Sequence, residues 1–431
     1  MTETEWHTRI DWLIVWDDDT RVLVLKTELV GRVEPDKPGQ ALAALRKQTG
    51  IDAAVLRLSG AETDETARII RCTLVATPRT GGNVPPQRPL SGAGRGDRHA
   101  EPATWVSAVE AGLDGGPPWT DPRWIDGVAE WLSADLGLDL DDRLEQVRLW
   151  DLSAVLRAAT PHGDVYVKSS VATPLFADEG AVTAVLDKLF PAQVPAVLGH
   201  HGDRRLLALA DFGPAIRHAS DEVNAEMLSS YAALQVESVE RVPELRSAGC
   251  LDRRLPWLSG QITWLGEVDH AAPPAWCDPA TWVTPEEAAQ LRESMPGLMA
   301  ACAKLTGFAV PYSLVHGDLH LGNVARGPLG YLFFDWTDAA IAHPFLDLSS
   351  QFFQPGGSAL DGYLARWADF DSPERLRAAW KLAAPLCALN QAISYASLAA
   401  HLPPPVEKMV GGGTAMWLRR LLRAQAPGWV G

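Results

Sequence analysis

The stretch whose reading decides the fold is LVHGDLHLGN, residues 314–323, followed by YLFFDWTDAAIAHPFLDL, residues 331–348. Asp318 and Asn323 stand five positions apart, and an apolar run, Leu332-Phe333-Phe334, delivers Asp335 seventeen residues after Asp318. Gly317 and Gly322 free the backbone for a tight, irregular loop. Phosphoryl transfer from a nucleotide needs one carboxylate beside the acceptor hydroxyl. It also needs an amide oxygen and a second carboxylate to hold Mg2+ against the phosphates. Two loops joined by a short hairpin bring these three groups together, and the alternative, a polar turn with a helix cap, leaves the downstream strings unexplained.

The five-residue step from acid to amide matches the spacing of the kinase catalytic loop. HGDLHLGN with FFDWTDA and HPFLDL resembles the aminoglycoside phosphotransferase and choline kinase superfamily, over about residues 120–431. The resemblance implies an α+β, protein-kinase-like fold of two lobes, one strand-rich and one mainly helical. It implies that Asp318 is the catalytic base and that Asn323 and Asp335 ligate Mg2+. His316 resembles the loop histidine that braces the metal-binding segment, and Asp347 the structural aspartate.

The same template asks for a strand lysine on the phosphates and a helix glutamate paired with it. Lys168 ends the strand-like run Val165-Tyr166-Val167, and Glu179 lies near the start of the next helix, beside Asp178. The turn in the position of the phosphate loop, Trp150-Asp151-Leu152-Ser153-Ala154, has no glycine. Ser153 meets phosphate there with its hydroxyl or its backbone N–H, or is an ordinary turn residue. Residues 206–210 form the adenine-facing hinge, which assigns Leu207 and Leu209 to the nucleotide. Asp211-Phe212-Gly213 spells the metal-binding tripeptide of protein kinases but precedes the catalytic loop, so Asp211 is read as a cap or a ribose contact.

The first 115 residues read as a separate small α/β unit. Residues 11–30 form two strands around an Asp-rich turn, 40–50 a helix closed by Gly50, and two more strands follow. The Gly-, Pro- and Arg-rich segment 78–102 reads as a mobile loop. GRVEPDKPGQALAALRKQTGI with ATWVSAVEAGL resembles a Nudix domain. That family's metal-binding glutamates fall on Lys47 and Gln48, and its Arg-Glu pair on Ala43 and Ala44. A cation and an amide cannot replace two metal-binding carboxylates, so a non-catalytic Nudix-like domain is expected. The expected division is 1–115 for this domain, 116–210 for the N-lobe and 211–431 for the helical C-lobe.

Composition bounds the rest. Thirty-eight Lys and Arg against 54 Asp and Glu give a net charge of −16, which excludes a general nucleic-acid binder. Five scattered cysteines form no metal-ligand spacing and suit a reducing compartment. The start, MTETEWHTRI, is polar, and no 18-residue apolar run predicts a membrane span, so a cytoplasmic protein is expected. Most of the 17 tryptophans are core, Trp124, Trp131 and Trp380 among them. Trp257, Trp264, Trp276 and Trp282 fall in the insertion 255–285, where the superfamily builds its acceptor pocket, and Asp278 there suits a cationic acceptor. Pro385 is expected to kink or break the helix opened by Ser372-Pro373, and residues 416–422 to pack as an amphipathic tail.

The expected function is ATP- and Mg2+-dependent transfer to a hydroxyl of an aminoglycoside, an amino sugar or another natural-product alcohol. A pseudokinase or interaction protein, a Nudix-type pyrophosphohydrolase and a protein kinase remain the alternatives.

Overall fold

The computed structural model describes residues 5–15, 22–79, 116–274, 277–348, 357–402 and 406–425. Most of the segment read as a mobile loop, the ATWVSAVEAGL string and Trp276 lie outside the described residues. The chain is a mixed α+β protein that folds as two compact units, Met1–Val171 and Ala172–Gly431. The segment expected as the N-lobe contributes to both.

In the first unit, β1 (His7–Val15), β2 (Val22–Val30), β3 (Ala53–Asp64) and β4 (Ile69–Pro78) form a sheet of order β2-β1-β4-β3. β1 runs antiparallel to β2 and parallel to β4, while β3 and β4 pair antiparallel. Thr8, Ile10, Trp12 and Ile14 alternate onto one buried face of β1, and the Trp12 indole donates to Thr27 Oγ1 at 2.9 Å. α1 (Gly39–Thr49) ends as its sequence demands: Gly50 sits at φ 77° and returns its N–H to the Arg46 carbonyl. After α2 (Trp124–Glu130), a π-turn carries Trp131 and Leu132 into the core. β5 (Glu145–Leu149), β6 (Ser153–Ala158) and β7 (Val165–Ser170) then form an antiparallel meander.

The second unit opens with α3 (Glu179–Leu189) and the antiparallel pair β8 (Val197–His201) and β9 (Leu206–Ala210). Then come α4 (Asp221–Ser238), α5 (Val242–Ser247), β10 (Leu251–Asp252), α6 (Leu255–Gln261) and α7 (Pro285–Leu305). β11 (Ser313–Val315), β12 (Val324–Gly327), β13 (Gly330–Phe333) and β14 (Ala340–Ala342) carry the candidate site. α8 (Gly357–Ala365), α9 (Pro373–His401) and α10 (Val406–Ala424) close the chain. The strands form a small sheet of order β10-β14-β11 and a β12-β13 hairpin. One apolar cluster joins Leu228, Trp336, Phe345, Trp367, Leu389 and Trp417, among others. Each such fully buried side chain contributes roughly 1.5–3 kcal/mol relative to exposure.

Local signals act as read. Thr284 and Glu287 exchange both bonds of a capping box at 3.2 and 2.9 Å, and Ser372 caps α9 through the Arg375 N–H. Of the two outcomes expected at Pro385, a break does not occur, because α9 runs from Pro373 to His401 with Pro385 inside it. Packing overrides the local penalty: residues on both sides of the proline, Ala383, Ala384, Leu386 and Cys387, are buried. The tail helix packs inward through Ala415, Trp417, Leu418 and Leu421, and Arg419 forks onto the Glu287 carboxylate at 2.8 and 3.0 Å. Among the described residues no helix is long and apolar enough to cross a membrane. All five cysteines are unpaired and buried.

Candidate active site

β11 feeds directly into the loop 316–323. Gly317 sits at φ 83°, and a Cβ there would lie 2.5 Å from Asp338 Cβ and 2.6 Å from the Asp338 carbonyl oxygen, so only glycine fits. His320 caps the turn that follows. Its Nδ1 accepts the Gly322 N–H at 3.0 Å, which places the ring proton on Nε2, 3.5 Å from Asp318 Oδ2. Asn323, nearly buried, donates from Nδ2 to the Asp318 carbonyl at 3.0 Å, leaving its Oδ1 without that duty. The Asp318 carboxylate is 44% exposed, so a solute reaches it.

The β12-β13 hairpin brings Asp335 to this loop. Val324 pairs with Phe333, and the Phe334 N–H donates to the Asn323 carbonyl at 3.0 Å, so the residue that follows Phe334 emerges beside Asn323. Asp335 itself adopts φ 69°, a left-handed conformation that costs a non-glycine residue about 1–3 kcal/mol. It is held there by Thr337, whose hydroxyl donates to Asp335 Oδ1 at 2.7 Å, and by Trp336, whose indole donates to the Phe333 carbonyl at 2.9 Å.

His316 couples the two segments. Its Nδ1 faces the Asp318 N–H at 3.4 Å, and its Nε2 donates to the Phe334 carbonyl at 2.9 Å. The backbone donor fixes the Nε2-protonated tautomer. Trp336 lies against the imidazole, with ring centroids 4.6 Å apart.

Beneath the loop sits a polar anchor. The Asp347 carboxylate accepts the N–H groups of His316, at 2.5 Å, and of Gly317, at 2.8 Å, and the Tyr231 hydroxyl donates to it. Burial pushes this carboxyl up, while the Tyr231 hydroxyl and the backbone N–H groups of His316 and Gly317 pull it down. Gln391 donates to the Gly317 carbonyl at 2.5 Å, and Gln235 to the Leu314 carbonyl at 3.0 Å. Arg253, fully buried, donates to Ser394 Oγ at 2.7 Å and to the Leu175 carbonyl at 3.1 Å. Burial lowers its pKa, opposed by the charges of Asp338 and Asp347. Asp347 stands in the motif, but Tyr231, Gln235, Arg253 and Gln391 were not foreseen. Their one sequence signal is a polar side chain interrupting an apolar run, as Gln391 does in LCALNQAI.

The other candidates fall as follows. Glu179 is the first residue of α3 and is buried, while its neighbour Asp178 is the helix cap, accepting the Ala181 N–H at 3.2 Å. Leu207 and Leu209 are buried on β9. Asp211 accepts the Gly213 N–H at 2.9 Å, and Phe212 stacks on Phe334 with centroids 4.9 Å apart. The chain then runs along the hairpin, Ile216 donating to the Val324 carbonyl at 2.8 Å. In the other unit, Lys168 lies on β7 in register with Val155, and Ser153 opens β6. The Trp150 indole donates to Ser153 Oγ at 2.7 Å, so the hydroxyl keeps its own proton to donate. Trp257 and Trp264 are half-buried against the core of the second unit, and the Trp282 indole donates to the Asp269 carbonyl at 2.9 Å. Asp278 is exposed and caps its own turn through the Ala280 N–H.

Solved structures are similar to this chain at low identity. A choline/ethanolamine kinase family protein from Mesorhizobium loti is 13% identical, with a TM-score of 0.47, over 69% of this chain and 97% of that one. The macrolide 2'-phosphotransferase of Brachybacterium faecium is 18% identical, with a TM-score of 0.44, over 68% and 98%. The ethanolamine kinase of Plasmodium vivax is 9% identical, with a TM-score of 0.47, over 79% and 96%. No curated protein matches the sequence. The phosphotransferase enzyme family model matches residues 150–380, a span that holds Asp318, Asn323, Asp335 and the anchor residues Tyr231, Arg253 and Asp347. More than half of the chain lies within that match, and the protein therefore belongs to the phosphotransferase enzyme family.

Proposed function

We propose that the protein transfers the γ-phosphoryl group of ATP to a hydroxyl of a small molecule, with Mg2+, on a kinase-like pair of lobes spanning residues 116–210 and 211–431. One observation carries this reading. The loop acid, the loop amide and the strand-end acid are tied together by the Asn323–Asp318 and Phe334–Asn323 hydrogen bonds.

The donor set fits Mg2+, a hard cation that prefers oxygen. Asn323 spends its amide protons on Asp318 and keeps Oδ1, and the Asp335 carboxylate lies one residue beyond the bond that joins the two segments. Bound there, the ion would neutralise charge on the phosphates. Asp318 orients the acceptor hydroxyl and takes its proton as the acceptor oxygen bonds the γ-phosphorus and the bond from that phosphorus to the β,γ-bridging oxygen breaks, releasing ADP. His320, with its Nε2 proton toward Asp318, helps fix that carboxylate. Lys168 and the Ser153 hydroxyl serve the phosphates, Glu179 pairs with the lysine, and Leu207 and Leu209 line the adenine side.

The acceptor is an aminoglycoside, an amino sugar or a related alcohol, and a cationic one suits a chain of net charge −16. The first 115 residues are a Nudix-like domain without hydrolase chemistry, since α1 carries Lys47 and Gln48 where that reaction needs carboxylates. The compartment is the cytoplasm. Incubation with ATP and Mg2+ across such alcohols, read by mass, tests the reading. Failure to phosphorylate any of them would favour a pseudokinase, and hydrolysis of nucleoside diphosphate derivatives surviving Asp318→Ala would favour the Nudix alternative.

A further inference from the structure

The glycine-free turn 150–153 is held from outside by the N-terminal sheet. Within the turn, the Trp150 N–H donates to the Ser153 carbonyl at 3.1 Å and its indole to Ser153 Oγ at 2.7 Å. The Leu152 carbonyl accepts the Val171 N–H at 3.0 Å. The side chain of Asp151 takes part in none of these bonds. It lies 3.9 Å from Arg57 Nε on β3, with the two side chains 9% and 8% exposed.

The approach to the turn is clamped as well. Gln146 on β5 forms a two-pronged amide pair with the backbone of Val55, 2.7 Å in each direction, and is itself buried. Leu149 donates its N–H to the Asp36 carbonyl at 2.7 Å, and Arg148 bonds Asp36 Oδ2 at 2.9 Å while lying over the Trp150 ring. β3 is bulged between Val55 and Arg57, and a bulge there re-aims the side chain that follows it.

We infer that Arg57 is a positioning residue for nucleotide binding, and that the N-terminal domain is a built-in brace which sets the turn carrying Ser153. Glycine-rich phosphate loops shape themselves around the ligand; this turn is instead preset by a buried charge pair reaching across from another sheet. A buried charge that loses an opposing charge beside it is less well compensated, so removal of one member favours displacement of the other toward solvent. Burial pushes the Asp151 carboxyl up and Arg57 pulls it back. Displacing Asp151 moves Ser153, two residues on. The inference rests on the reading of residues 150–153 as the phosphate turn.

Titration calorimetry of the full-length protein with MgATP tests it without knowledge of the acceptor. Arg57→Met and Asp151→Asn are each expected to weaken MgATP binding by about tenfold, and the double variant no further than the worse single one. An unchanged affinity in a folded variant, with only the melting temperature lowered, would reduce the pair to a stability element and overturn the inference. So would single effects that multiply in the double variant. Should Arg57→Met not fold, Arg148→Met at the half-exposed rim is expected to weaken binding about threefold, and no change there overturns the inference equally. A wild-type protein that binds no MgATP overturns the functional reading itself, a result distinct from all of these.

Discussion

His316 donates from Nε2 to the carbonyl of Phe334 at 2.9 Å, and so locks the loop that carries Asp318 to the strand end that delivers Asp335. The bond joins residues 18 positions apart and makes one rigid unit of two segments that phosphoryl transfer needs in fixed relation. His316→Leu removes it while keeping a buried apolar volume against Trp336. The expected result is a fall in kcat of about 10²-fold with smaller change in the KM for ATP, measured in steady-state assays.

Gly317 faces Asp338 with no room for a side chain. Gly317→Ala combines a positive φ with a steric clash, so the loop shifts or strains by about 1–3 kcal/mol. Activity should fall more than stability does, because the two residues that move adjoin Asp318, the proposed base, and the segment after Asp335, the proposed metal ligand. Comparing the melting temperature with kcat/KM checks the ordering.

Asp347 satisfies two buried N–H groups. Asp347→Ala leaves both without acceptors, at about 1–3 kcal/mol each, so urea unfolding should show a loss of roughly 2–6 kcal/mol. Asp347→Asn keeps one acceptor oxygen and should lose less. Equal losses for the two variants would mean that the backbone bonds carry none of the anchoring.

His343 supplies a pH signature. Its Nδ1 accepts the Phe345 N–H at 3.3 Å, it is 1% exposed, and burial pushes the imidazole down to about 3. The unfolded chain binds this proton near pH 6.5 and the folded one does not, so stability falls as pH drops from there toward 3. The slope from this group is about 1.4 kcal/mol per pH unit at most. His343→Asn keeps an acceptor at the cap and should flatten the curve between pH 6 and 4, followed by unfolding at successive pH values.

That Asp318, Asn323 and Asp335 meet was readable because the segments that carry them are local. Asp318, Asn323 and Asp335 lie within eighteen consecutive residues, and the spacing alone restricts which groups meet. The same holds for the Thr284 capping box and for Gly50, whose partners are one turn away. What lay hidden is non-local. Tyr231 reaches Asp347 across 116 positions and Gln391 reaches Gly317 across 74, from helices whose pattern reports only burial. Arg57 in a strand and Asp151 in a turn gave no signal, because a charged residue in either place reads as surface until its neighbour is known. Pro385 does not end α9, because the packing around the helix outweighs the local penalty.

The central claim is that Asp318 is the base of a phosphotransferase, and comparison of wild type with Asp318→Asn tests it most directly. Each protein is incubated with ATP, Mg2+ and a panel of aminoglycosides and amino sugars, and products are weighed. The wild type is predicted to add one phosphoryl group to at least one alcohol, and the variant to do so about 10²–10⁴-fold more slowly while retaining MgATP affinity. Product formed at equal rates by both proteins would contradict the account.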